Sequence, residues 1–173
     1  SSDLAEVAGQ TSPQARVAQA GTRILEARQS LGKRIGEKSP SFDQFTADEK
    51  RLLQEARNLL IEAQNDRPGW FHIEQLQSEI DVLRGDIPAA IDHLQRTVRM
   101  GPASPGVVRQ LASLLYSSNR LEEAQQAVAL LGPDGLEGME RISAEMEMRS
   151  GRFDEARSEE HTSELQSRVD ISY

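Results

Sequence analysis

The sequence predicts an all-α protein of antiparallel helix pairs stacked one after another, and three observations carry that expectation. The composition suits helices better than sheets: of 173 residues 37% are hydrophobic and only 4% aromatic, and the helix formers Ala, Leu, Glu, Gln and Arg are abundant. Alanines recur at Ala56, Ala90, Ala124 and Ala156, at intervals of 34, 34 and 32 residues. Such self-similarity marks repeat architectures. Helix-start residues, finally, fall where this period places the boundaries.

The repeats align in detail. RGDIPAAIDHLQRTVRMGP (84–102), SNRLEEAQQAVALLGP (118–133) and SGRFDEA (150–156) contain Gly85, Asn119 and Gly151, residues suited to ending a helix with positive φ. Each reaches its alanine five positions later. Leu60, Ala63 and Pro68 follow Ala56 at the offsets at which Leu94, Thr97 and Pro102 follow Ala90; Val128 and Leu131 follow Ala124. A small residue where helices cross lets their backbones approach, and a bulky one a turn later fills the neighbouring gap.

Over residues 47–156 this pattern resembles the tetratricopeptide repeat family, a helix–turn–helix unit whose second helix reads small, bulky, small and closes on proline. The resemblance implies a right-handed superhelical solenoid. First helices fit it less closely. SPGVVRQLASLLYSS places Val108, Leu111, Ala112 and Leu115 inward. In WFHIEQLQSEIDVLR the apolar row is Ile73, Leu76, Ile80 and Leu83, and in LEGMERISAEMEMRS it is Met139, Ile142 and Met146. Both rows run one residue early, which predicts an extra residue in those turns.

Six helix starts are expected. Ser12-Pro13 and Ser104-Pro105 place a cap before a first-turn proline. Thr46 with Glu49, and Asn119 with Glu122, have capping-box spacing. Asp86 and Asp134 are further caps. Residues 1–46 read as an N-terminal helix and loop, a divergent or partial repeat: Val17, Ala20, Ile24, Leu31 and Ile35 form one apolar stripe ending near Gly36, and 37–45 follow as a loop.

The C-terminal segment 157–173 breaks the period, since Glu160 stands where a bulky residue is due. RSEEHTSELQS, from Arg157 to Ser167, is identical to the translation of a common sequencing-adapter read, and Ile171–Tyr173 matches its continuation. Residues 157–173 are therefore expected to be a non-native tail on a truncated fragment and are excluded from functional reasoning.

No chemistry is expected of the remainder. The formal net charge of −8, or −8 − (−2) = −6 without the tail, argues against nucleic-acid binding, which rests on cations neutralising phosphates, and no apolar run suffices for membrane insertion. Cysteine is absent, which removes disulfides, thiolate metal sites and thiol nucleophiles. His72 and His93 form no metal or catalytic motif, and no phosphate-cradling loop occurs; no cofactor is expected. Met139 and Met146 are read as core, and Trp70 as packing between repeats. The compartment stays open, with the cytoplasm as default.

What the resemblance implies instead is a concave groove lined by the first helices, which binds proteins or peptides. Carried over with the one-residue shift, its positions are Glu74, Ser78 and Asp81, then Arg109, Ser113 and Tyr116, then Glu140 and Glu147. Four acids against one arginine favour a neutral or basic partner. The family's clamp for chaperone tails needs Lys at Glu74 and Asn at Ser78, so that ligand is not expected. The expected function is a non-catalytic scaffold for protein–protein interaction or complex assembly. Alternatives are the targeting or substrate-binding arm of a larger enzyme, such as a glycosyltransferase or protease, and a structural spacer in a longer solenoid.

Overall fold

The computed structural model describes residues 12–34, 40–101, 104–132, 139, 142–146, 148–149 and 151. Six helices follow in order: α1 (Pro13–Arg34), α2 (Ala47–Asp66), α3 (Phe71–Arg84), α4 (Ile87–Met100), α5 (Pro105–Ser117) and α6 (Leu121–Ala129), with a short 3-10 turn, Phe42–Gln44, before α2. Further helical residues occur at 142–146 and 148–149, and no strand occurs among the described residues. The chain divides into two compact units between Val107 and Val108.

In the first unit α1 lies against α2. Arg16 pairs with Glu62 and Asp66, Arg23 with Glu55, and the Ser30 hydroxyl donates to Glu49. Rising numbers on one helix meet falling numbers on the other, so the two run antiparallel. The α1 stripe is Ala20, Ile24, Ala27 and Leu31, and it shares a core with Phe45 and with Leu53, Ala56, Leu60 and Ala63 of α2. Residues on both sides of position 46 thus belong to one core.

α2 starts on the expected capping box: Thr46 Oγ1 accepts from the Glu49 N–H, and Glu49 Oε2 accepts from the Thr46 N–H. Ser12 and Ser104 cap as expected, accepting from the Ala15 and Val107 N–H groups.

Between α3 and α4 the chain reverses over Gly85 and Asp86. Gly85 has φ 76°, and the Asp86 N–H donates back to the Asp81 carbonyl. The left-handed conformation suits glycine because a Cβ there is strained. Asp86 then caps α4 through the Ala89 N–H. Ala90, Leu94 and Thr97 are buried at the same repeat positions as Ala56, Leu60 and Ala63, the small–bulky–small triplet expected from the 34-residue spacing.

In the second unit Val108, Leu111, Ala112 and Leu115 of α5 are buried, as are Ala124 and Ala127 of α6 and the expected core residues Met139 and Met146; Met148 is exposed. One expected cap is corrected. Asn119 does not cap α6: it sits at φ 60°, the left-handed position closing α5, while the α6 cap position is Arg120, which makes no side-chain cap bond. Instead Arg120 grips Glu123 with two hydrogen bonds, 2.7 and 2.6 Å. Asparagine tolerates left-handed φ better than other chiral residues, so of the two roles expected of Asn119 the helix-ending one holds and the cap does not. Asp134, Pro102 and Ile35 lie outside the described residues, as do Ala156 and the segment 157–173 expected to be adapter-derived.

Candidate interaction surface

The expected register of α3 rests on its apolar row, and the structure corrects it. Ile73 and Ile80 are buried, but Leu76 and Leu83 are only half covered, whereas Glu74, Gln77, Ser78 and Asp81 are all buried. The covered face is therefore centred later in sequence than the apolar row. No extra residue is needed in the turn: Gly85 precedes Ala90 by the interval at which Asn119 precedes Ala124, and both have positive φ.

Glu74, Ser78 and Asp81 are thus covered within the first unit rather than open at its surface. Burying carboxylates is costly unless they are paired, and here the pairing comes from α2 and α4. Glu74 Oε2 accepts from Arg96 Nε at 2.8 Å and lies 2.6 Å from His93 Nδ1, while Gln64 of α2 donates to Oε1. Asp81 Oδ2 lies 3.4 Å from His93 Nε2, and Oδ1 is 3.9 Å from Arg57 of α2. Ser78 Oγ donates to the Gln75 carbonyl. Burial pushes the Glu74 carboxyl up, but the hydrogen bonds and charges of Arg96 and His93 together outweigh it, leaving Glu74 below its ordinary value. For Asp81 burial prevails over the attraction of His93 and Arg57, and its carboxyl is held above the usual range.

Arg57, Gln64 and Arg96 carry no expectation from the sequence, and His93 none beyond the lack of a metal or catalytic motif. A signal was available: acids seven residues apart share one helix face, and His93 and Arg96, three apart, share the face of the next helix.

The remaining expected positions lie differently. Arg109, Ser113 and Tyr116 of α5 are half-buried; the Ser113 hydroxyl lies 3.9 Å from Met139 Sδ, and the Arg149 guanidinium sits 5.4 Å from the Tyr116 ring centroid. Glu140 and Glu147 lie outside the described residues. One repeat earlier, 34 residues back, Arg109, Ser113 and Tyr116 correspond to Gln75, Glu79 and Val82, all half-buried. Glu79 pairs with Arg28 of α1 at 3.3 Å. Within the first unit a cavity of about 290 Å³ opens beside Gln75, lined also by Phe71, His72, Thr97, Gly101, Ser104 and Val107. Trp70 packs against the first unit's core, with the Arg67 guanidinium 4.6 Å from its ring centroid.

Two features now coincide: consecutive helix pairs in contact, and a buried small–bulky–small triplet recurring after 34 residues. The family model described as tetratricopeptide repeat matches residues 82–144. Over these residues the chain is similar to tetratricopeptide repeats. Neither the curated proteins nor the solved structures provide a match. Tetratricopeptide repeats are generally non-catalytic and typically bind proteins or peptides. Among the described residues no helix is long and apolar enough to cross a membrane.

Proposed function

We propose that this chain is a non-catalytic tetratricopeptide repeat scaffold that binds a neutral or basic protein segment on the exposed faces of its first helices. The observation that supports this reading is the corrected register. The covered side of α3 is taken up by Glu74, Gln77, Ser78 and Asp81, which leaves Gln75, Glu79 and Val82 half-open at the positions that Arg109, Ser113 and Tyr116 occupy in α5. These faces carry side chains that both hydrogen-bond and pack, the mixture interfaces use. The partner's charge rests on the net charge of residues 1–156, −8 − (−2) = −6 once the tail is set aside, because Glu74 and Asp81 are withdrawn from the surface. An acidic surface speeds encounter with a basic partner and loses that advantage as salt rises.

A peptide array probed with the wild-type chain and with the double variant Arg109→Ala, Tyr116→Ala tests it. Basic or neutral peptides are expected to bind the wild type and be lost in the variant, while Gln126→Lys on exposed α6 retains them. Equal binding by all three proteins would remove this face from the function and favour a structural spacer.

A further inference from the structure

The cavity of about 290 Å³ beside the exposed face of α3 has a lining of consistent chemistry. One wall is aromatic. Phe71 and His72, the first two residues of α3, have ring centroids 3.9 Å apart, and Trp70 meets His72 edge-on at 5.5 Å. Phe71 is 37% exposed, whereas Val107 and Thr97 are covered. The Thr97 hydroxyl donates to the His93 carbonyl, so its proton is spent. Two further lining groups are polar. The Gln75 side-chain amide has no hydrogen-bond partner among the described residues, and the Ser104 hydroxyl, accepting from the Val107 N–H, keeps its own proton to donate. None of the described lining residues is Asp, Glu, Lys or Arg.

A glycine keeps the wall bare. Gly101, which follows α4, is extended at φ −175°, a conformation any residue adopts, and a Cβ there would meet no atom within 4 Å. Neither backbone strain nor crowding calls for glycine at this position; its effect is to leave the cavity open.

Size and chemistry together choose an occupant. This volume lies at the small end of ligand pockets: it takes one ring-sized group rather than a nucleotide cofactor. A charged group would find no carboxylate, ammonium or guanidinium in the lining. An aliphatic side chain would cover the Gln75 amide without giving it a hydrogen bond, which is costly. A phenol packs its ring against aromatic neighbours and brings a hydroxyl that both donates and accepts.

We propose that this cavity is the anchor pocket for one tyrosine side chain of the bound protein segment, its ring against Phe71 and His72 and its hydroxyl on the Gln75 amide. The inference rests on the reading of the exposed α3 face as the binding face, since Gln75 belongs to both. A few aromatic anchors carry most of the affinity in many interfaces, and this one selects by shape and hydrogen bonding where the net charge selects only by sign.

NMR of the full chain titrated with N-acetyltyrosinamide, to millimolar concentrations because one side chain alone binds weakly, tests the pocket without a partner. Saturable shifts are expected at the amides of Phe71, Gln75 and Val107, smaller with N-acetylphenylalaninamide and smallest with N-acetylleucinamide. Gly101→Leu, which puts a side chain on the open wall, is expected to abolish them; should it not fold, Phe71→Ala at its exposed position carries the same expectation. On the peptide array, replacing tyrosine by alanine in a bound sequence is expected to weaken binding at least about tenfold. Equal shifts from the tyrosine and leucine probes, or none from either, would overturn the pocket. Peptides that bind regardless of tyrosine would overturn it too, while leaving the α3 and α5 faces as the binding surface. Tyrosine-selective shifts with an array on which nothing binds would keep the pocket and remove the scaffold reading.

Discussion

Glu49 and Asp81 are both buried carboxylates, at 0% and 2% exposure, in adjoining helix pairs, and they fare oppositely. Glu49 sits in the first turn of α2, where the helix dipole favours an anion. Its two oxygens accept from the Thr46 N–H and the Ser30 hydroxyl, each at 2.8 Å. Asp81 sits in the last turn of α3, where the dipole opposes a negative charge; one oxygen has no hydrogen bond, and its nearest arginine is 3.9 Å from the other. Depth of burial is nearly the same. What separates them is where the partners come from: Glu49 takes one bond from the Thr46–Glu49 box of its own helix and one from α1, whereas Asp81 depends on side chains from two other helices. A carboxylate satisfied locally is held in place by its own helix, whereas one satisfied by packing depends on the assembly of the fold.

The comparison between the two helix pairs is broken or sharpened by three measurements. The largest effect is expected from Leu60→Ala and Leu94→Ala. Both leucines are fully buried at the same repeat position, and each truncation should cost about 2–5 kcal/mol in urea unfolding. Costs differing by more than the width of that range would show that the pairs do not use the triplet alike.

Next comes Glu74, whose carboxyl is held below its ordinary value. Its stabilisation is present above the usual carboxylate range and lost as pH falls through the depressed folded-state value. Glu74→Gln should lower stability at neutral pH by about 2 kcal/mol and flatten the acid side of a melting-temperature profile. An unchanged acid limb would show that Glu74 carries little of the seam.

The smallest effects concern caps. Thr46→Ala breaks a reciprocal box and should cost about 1 kcal/mol, while Asp86→Ala removes a single 3.3 Å bond and should cost about 0.5 kcal/mol. Thermal melts of the two variants rank them, and the reverse order would show that the reciprocal box adds nothing to a single cap bond.

Much of the fold was legible because the second helices state it redundantly. Ala56, Leu60 and Ala63 recur as Ala90, Leu94 and Thr97, and all six are buried; small residues at helix crossings are needed wherever such pairs pack closely. Thr46, Asp86 and Gly85 marked ends by chemistry acting within a few residues. The register of α3 was not legible, because hydrophobicity is only a proxy for coverage. Its inward face contains Glu74, Gln77, Ser78 and Asp81, which become buriable only when Arg57, His93 and Arg96 arrive from elsewhere. The expected groove residues of α3 are covered for that reason. Those of α5 lie on a half-open face because an apolar stripe, Val108 to Leu115, identifies the covered side without help from neighbours. Asn119 shows a third limit: one residue type serves both helix starts and left-handed helix ends, and spacing alone does not choose between them.

The ionic seam also bears on how one helix pair finds its place on the next. Rows of alanine and leucine tolerate sliding, since a shift by one helical turn brings another aliphatic residue into much the same hollow. Charges do not. Slipped by about 5.4 Å, α3 would carry Glu74 away from Arg96 and Gln64, and Asp81 away from Arg57, leaving anions stranded in a dry crevice. The seam therefore works as a phase lock: it adds little cohesion of its own, yet admits one stacking offset between neighbouring pairs where greasy contacts alone would admit several.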